Sequence, residues 1–342
     1  MPLINTVRNR MLAFIATILA VAALRASYPV TMPLTASVLL IAAVWPVKLW
    51  LDRLIPWASY IGASLILLFV LGLFFATLYF SAAQVVHAFG DNWGQLEVAY
   101  QAIMRWLNRW GIEGLELEER SRLIGVGQEV FSNASTILIY LGFIALLVMF
   151  GLREVDAMSK KIGREFGQGE RREIARTIDE IAKRIRQYLG ITLLTSLITG
   201  IATALWAFTI GLDLPLVWGI LNFLLNFVPV LGNFVGIAPP TLYALMQFKS
   251  LSGTLLTLAG FSVIQIVISN FVCPLLQERG LSLSPIAVIV ALTFWSWLWG
   301  FAGALIAIPL TVSLTIVCSQ FENTRWIAVF LSSPKANAGA ND

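Results

Sequence analysis

Apolar residues in this chain come in long uncharged blocks, separated by two charged stretches. The blocks fall near residues 11–24, 32–50, 57–86, 134–152, 189–210, 214–246, 251–272 and 283–320. Residues 187–248 hold one charged side chain, Asp213, and residues 250–277 and 280–321 hold none. Uncharged apolar runs of about 18 residues or more form helices that cross a bilayer core roughly 30 Å thick. A water-soluble core helix would need a polar face, whereas these runs are apolar all round. The pattern therefore predicts an all-α, polytopic integral membrane protein with about eight transmembrane segments. Segments 214–246 and 283–320 exceed one straight crossing and carry Pro or Gly near the middle, so both are predicted to be long or broken.

The polar stretches set the organisation. Residues 1–86 hold the N-terminal transmembrane segments, 87–133 an external helical insertion, and 134–152 a further transmembrane segment. A cytoplasmic basic amphipathic helix spans 153–188, a C-terminal transmembrane core 189–320, and a cytoplasmic tail 321–342. Ile174, Ile178, Ile181 and Ile185 make one helical stripe running into the fifth segment, and Trp93, Leu96, Tyr100, Ile103, Leu107 and Trp110 make another in the insertion. Such stripes suit helices lying on a membrane surface or against a neighbouring subunit. The stretch Arg153–Gln187 carries ten Lys/Arg and seven Asp/Glu, against four and seven in His87–Asn133. Basic loops stay inside, so the first is cytoplasmic, the second external, and eight crossings leave both termini cytoplasmic. Residues 11–24 after Arg8 and Arg10 read as an uncleaved first span rather than a signal peptide, because more apolar segments follow at once.

Composition narrows the chemistry. Charged residues make up 12% of the chain and hydrophobic ones 58%, a balance that excludes an ordinary soluble domain. The formal charge of +4 sits mostly in one loop, where insertion topology accounts for it, and no nucleic-acid partner is implied. Cys273 and Cys318 are too few and too far apart for a disulfide framework or a metal site, and no cofactor motif is present. The chain has no GxxxxGK[ST] loop, and its one histidine, His87, stands at a segment edge. No catalytic residues are assigned, and the chain is not read as an enzyme. Ion coupling ordinarily uses a carboxylate or histidine within the membrane. Asp213, near a predicted boundary, and Asp52 are what keep that possibility open.

Residues 226–240, NFVPVLGNFVGIAPP, stand out within this apolar setting. In hydrocarbon every backbone N–H and C=O needs a partner inside the protein. Pro229 removes a donor, Pro239 and Pro240 do so again, and Gly232 and Gly236 let another backbone approach. The stretch predicts a helix to about Phe227, a turn near Val228–Asn233, and a second helix. Broken helices at membrane depth point to a transport site, although a small-xxx-small pair such as Gly232 and Gly236 also packs helices. Gly300, Gly303 and Pro309, after Trp295, Trp297 and Trp299, suggest a second break or gate facing the first, with membrane anchoring by the tryptophans at least as good a reading. Thr192, Thr195 and Thr199, with Thr203 and Ser196, share one face of the fifth segment. Asn222 and Asn226 lie one turn apart ahead of Asn233, and Gln265 shares a face with Ser262 and Ser269, beside Asn270. Uncharged groups that both donate and accept would suit the path of a hydroxyl-rich solute. For the threonines, bonding to their own helix is an equal reading.

Three motifs carry a family resemblance: LNFLLNFVPVLGNFVGIAPP at 221–240, RGLSLSP at 279–285, and FWSWLWGFAGALIAIPLTV at 294–312. With the segment layout, they make the chain resemble the autoinducer-2 exporter family. The resemblance implies a multi-pass protein of the bacterial inner membrane that exports, or eases the passage of, a small solute. That solute is the quorum-sensing signal autoinducer-2 in the family's name and a monovalent cation exchanged for protons in some members. It also implies a homo-oligomer, with a pentamer as one form. Members often carry Glu before the proline where this chain has Cys273–Pro274, so a role for that carboxylate does not transfer. The reading is a transporter of a small uncharged polar solute, with membrane lipid and the solute as partners. Its site is expected between the sixth and eighth segments and the hydroxyl face of the fifth. A cation/proton antiporter and a non-transporting scaffold are the alternatives.

Overall fold

The computed structural model describes residues 2–55, 57–91, 94, 134–165, 168–228, 232, 235–277 and 283–332. Pro229, Asn233, the tryptophan-led stripe of the insertion and most of the 279–285 motif lie outside the described residues. Among the described residues the chain is helical, with one isolated bridge between Leu283 and Ser332. The helices are α1 (Pro2–Ala26), α2 (Tyr28–Leu54), α3 (Ser59–Asp91), α4 (Ala134–Glu165) and α5 (Gln168–Thr209), then α6 (Pro215–Leu225), α7 (Ala238–Phe248) and α8 (Leu251–Val267). A π-helical turn (Ile268–Val272) joins α8 to α9 (Cys273–Gln277), followed by α10 (Pro285–Gln320) and α11 (Arg325–Leu331). The protein is an all-α polytopic membrane protein. Five described stretches are long and apolar enough to cross a bilayer: Tyr28–Leu54, Ser59–Gly90, Arg172–Thr209, Leu251–Val272 and Pro285–Gln320. They expose large apolar side chains such as Phe69, Leu73, Leu197, Leu205 and Phe208, as helices solvated by lipid do.

The chain forms two compact units, one of residues 1–65, 142–186 and 281–342, the other of residues 66–141 and 187–280. In the second unit, segment 214–246 is broken, as expected, and it doubles back. It is a hairpin of two 11-residue helices, α6 and α7. Asp213 pairs with Gln247 at its base, the Trp218 and Tyr243 rings sit 5.6 Å apart at mid-arm, and Asn222 donates to the Gly236 carbonyl near the tip. Steps forward along one arm match steps backward along the other, which only an antiparallel pair allows. Each arm is about 16 Å long, half the depth of the bilayer core. The hairpin therefore begins and ends at the same end of the second unit.

Local chemistry closes both ends of this hairpin. Before it, α5 stops in a Schellman turn: Gly211 adopts φ 71°, the Leu212 N–H reaches the Ala207 carbonyl at 2.9 Å, and the Gly211 N–H reaches that of Phe208 at 3.2 Å. Leu212 then packs with Trp218, Met246 and Phe261 in the unit's core. After it, Lys249 takes a left-handed conformation (φ 50°) and the Ser250 hydroxyl caps α8 by accepting from the Gly253 N–H at 3.3 Å. Pro239 and Pro240 do not interrupt a helix. They occupy the first turn of α7, where no intrahelical donor is needed.

In the first unit, α10 also doubles back. As a straight rod its 36 residues would measure about 54 Å. Yet the Ser284 N–H reaches the Leu331 carbonyl at 2.9 Å, and the few residues after Gln320 span at most roughly 25 Å. Trp295 Nε1 donates to Thr311 Oγ1 at 3.0 Å, sixteen residues on. The reversal lies at Trp299 (φ −131°, ψ 19°) and Gly300 (φ 61°, ψ −143°), the latter a conformation reserved for glycine. Pro309 stays within the second, helical arm and is not the point of the break.

Candidate functional site

The α6–α7 hairpin brings together part of the set nominated from sequence. Asn222 is fully buried, and its Nδ2 donates to the Trp218 carbonyl at 3.0 Å and the Gly236 carbonyl at 3.1 Å. Its Oδ1 accepts from Gln265 Nε2 of α8 at 2.9 Å. One amide thus ties both arms to the neighbouring helix. Gly236 has to be glycine here, since a Cβ would run into Asn222 Oδ1 and the Gly232 carbonyl. Gly232 is held the same way, because its Cβ would meet the Leu225 carbonyl of the opposite arm.

Asn226, half-buried at the hairpin tip, donates to Ser196 Oγ at 3.0 Å and Thr195 Oγ1 at 3.4 Å on α5. The threonine face is fully buried, and its hydroxyls donate to their own helix: Thr195 to the Thr192 carbonyl, Thr199 to that of Thr195, Thr203 to that of Thr199. In this state the stripe packs and presents oxygen acceptors to Asn226. α5 and α6 approach closely because Gly200 faces Gly219, where a Cβ on either would lie within 2.9 Å of the other's carbonyl. Asn270 is set apart, exposed on the π-turn and donating to the Ile266 carbonyl at 3.0 Å. Asp213 stands exposed at the hairpin base, where its backbone carbonyl accepts from Trp218 Nε1 at 2.9 Å. Gly300, Gly303 and Pro309 belong to the α10 hairpin of the first unit, where a Cβ on Gly303 would collide with the Trp295 carbonyl.

Sequence reasoning passed over two groups. Gln247 clamps the hairpin base, accepting from the Asp213 N–H at 2.9 Å and donating to the Gly211 carbonyl at 2.8 Å. A lone amide near the end of an apolar run was its only signal. Lys48 is buried in α2, 2.8 Å from Asp52 and flanked by the Trp45 and Tyr60 rings at 5.0 and 4.8 Å. Its i,i+4 spacing to Asp52 was legible as a pair, but its burial was not. Among the described residues no group of His, Cys, Asp and Glu could hold a metal ion.

Residues 12–323 match the profile of the AI-2E family transporters. The chain belongs to that family. The AI-2 transport protein TqsA of Escherichia coli is 35% identical over 191 residues, 55% of this chain and 54% of that protein. A Borreliella burgdorferi protein with a provisional transport name is 33% identical over 186 residues, covering 54% of this chain and 51% of its own length. A Haemophilus influenzae protein, also provisionally named for transport, is 30% identical over 205 residues, 59% of this chain and 58% of that protein. The chain thus spans about half the length of the curated relatives it matches.

Proposed function

We propose that this AI-2E protein moves a small uncharged polar solute outward across the bacterial inner membrane. AI-2, the compound in the name of the E. coli relative, is the first candidate, which would place the protein in quorum sensing. One observation supports this most directly. The hairpin tip rests through Asn226 on Thr195 and Ser196, and the buried polar side chains described in that unit are all uncharged. Asn222 and Gln265 hold the hairpin, Asn226 and the α5 hydroxyls meet the solute, and Gly232 and Gly236 shape the opening. Asn233 and Pro229 belong to the same proposed tip by sequence position. We further propose both termini in the cytoplasm and assembly as a homo-oligomer, with a pentamer expected by native mass spectrometry in lipid.

Efflux of AI-2 from proteoliposomes tests the reading. The full chain should release it faster than empty vesicles, and Asn226→Leu should slow release about tenfold at equal folded protein. Equal rates with and without the protein would overturn it. Monovalent cation/proton antiport has one observation in its favour, the pairing of buried Lys48 with the partly exposed Asp52. It predicts pH-dye responses to cation gradients that Asp52→Asn abolishes.

A further inference from the structure

Gln265 is 3% exposed, and its Oε1 is buried without a hydrogen-bond partner among the described residues. The side chain cannot relieve this by flipping. Asn222 is fixed first, because the groups it meets at Trp218 and Gly236 are backbone carbonyls, which can only accept. Asn222 Oδ1 therefore faces Gln265, and Gln265 must turn its NH2 toward it, at 2.9 Å. A flipped Gln265 would oppose two acceptors. The free atom at this junction of α6, α7 and α8 is thus an acceptor by necessity, and buried acceptors call for a donor.

We propose that Gln265 Oε1 is the docking acceptor for a hydroxyl of the transported solute, so that the protein selects neutral, hydroxyl-bearing compounds. This rests on the transport reading above and names its solute class. An anion without a hydroxyl group has no donor to offer. A metal cation would want several oxygens and, ordinarily, a carboxylate, and the buried polar side chains described in this unit include none. The Gln265 amide also bonds the residue that ties the two hairpin arms. A solute docking on Oε1 therefore touches the group that holds the hairpin against α8, and solute binding and hairpin attachment share one residue.

Full-length protein in liposomes, given erythritol and its fully O-methylated ether, provides the test, with sodium flux measured in parallel. The two probes share a carbon skeleton and differ in donors. Once each probe's leak from empty vesicles is subtracted, erythritol should leave about tenfold faster than the ether, and Gln265→Met, which keeps length and removes the acceptor, should erase that difference. Discrimination is read within each protein as a ratio, and the unmodified protein alone already decides the solute class. Equal passage of both probes would overturn the acceptor assignment while leaving transport standing. Sodium flux lost in Gln265→Met, without polyol selectivity, would overturn the neutral class. No probe moving faster than in empty vesicles would overturn this proposal together with the transport reading.

Discussion

At the scale of single residues, glycines and amides define the hairpin. Gly236 and Gly190 make the contrast plain. At Gly236 a methyl group would strike Asn222 Oδ1, part of a buried network with no slack. Gly236→Ala should lower stability by about 1–3 kcal/mol, read as a fall in melting temperature in detergent. At Gly190, inside α5, nothing lies within 4 Å of the added carbon. Gly190→Ala should instead raise stability by about 0.5–1 kcal/mol through helix propensity. Asn222→Leu should cost more than Asn226→Leu. The former strands Gln265 Nε2 and the Gly236 carbonyl inside the unit, while the latter frees two hydroxyls, of which that of Thr195 already bonds its own helix.

At the scale of elements, two apolar runs that look like single long spans are folded back on themselves. Each reversal is closed by a glycine that leaves room for a carbonyl a few residues earlier: Gly232 over Leu225 and Gly303 over Trp295. Gly300→Ala should destabilise the α10 hairpin by about 1–3 kcal/mol, since alanine does not tolerate φ 61° with ψ −143°. Trp295→Phe, which removes only the bond to Thr311, should cost about 1 kcal/mol. Differential scanning fluorimetry of the two variants would rank them, and the reverse order would contradict the hairpin geometry.

The sequence made much of this legible. Membrane class, the apolar segments and the stop near Phe227 follow from hydropathy and proline chemistry, and the long basic-to-apolar helix is seen as α5. The amides Asn222 and Gln265 were visible as costly polar groups in an oily setting. Their mutual bond was not, because it joins residues forty-three apart. Chain reversal was not legible either. Periodicity reports which faces are apolar, and an oily run of thirty residues has the same pattern whether it crosses once or dips and returns.

At the scale of the whole molecule, we propose that the two reversals replace two of the eight expected crossings, which would leave an even number. The ends should still share one membrane face, and reporters fused to the two termini should both give cytoplasmic signals. Signals from opposite faces would contradict that topology. The central claim is narrower: α6 and α7 form a hairpin that returns to the face it entered. Single cysteines at the exposed positions Asp213→Cys and Lys249→Cys, with Cys273 and Cys318 replaced, test it directly through a membrane-impermeant maleimide. Both should label from the same face, opposite to a cysteine at exposed Arg176 in the basic half of α5. Labelling of 213 and 249 from opposite faces would mean the segment crosses, and the hairpin account would be wrong.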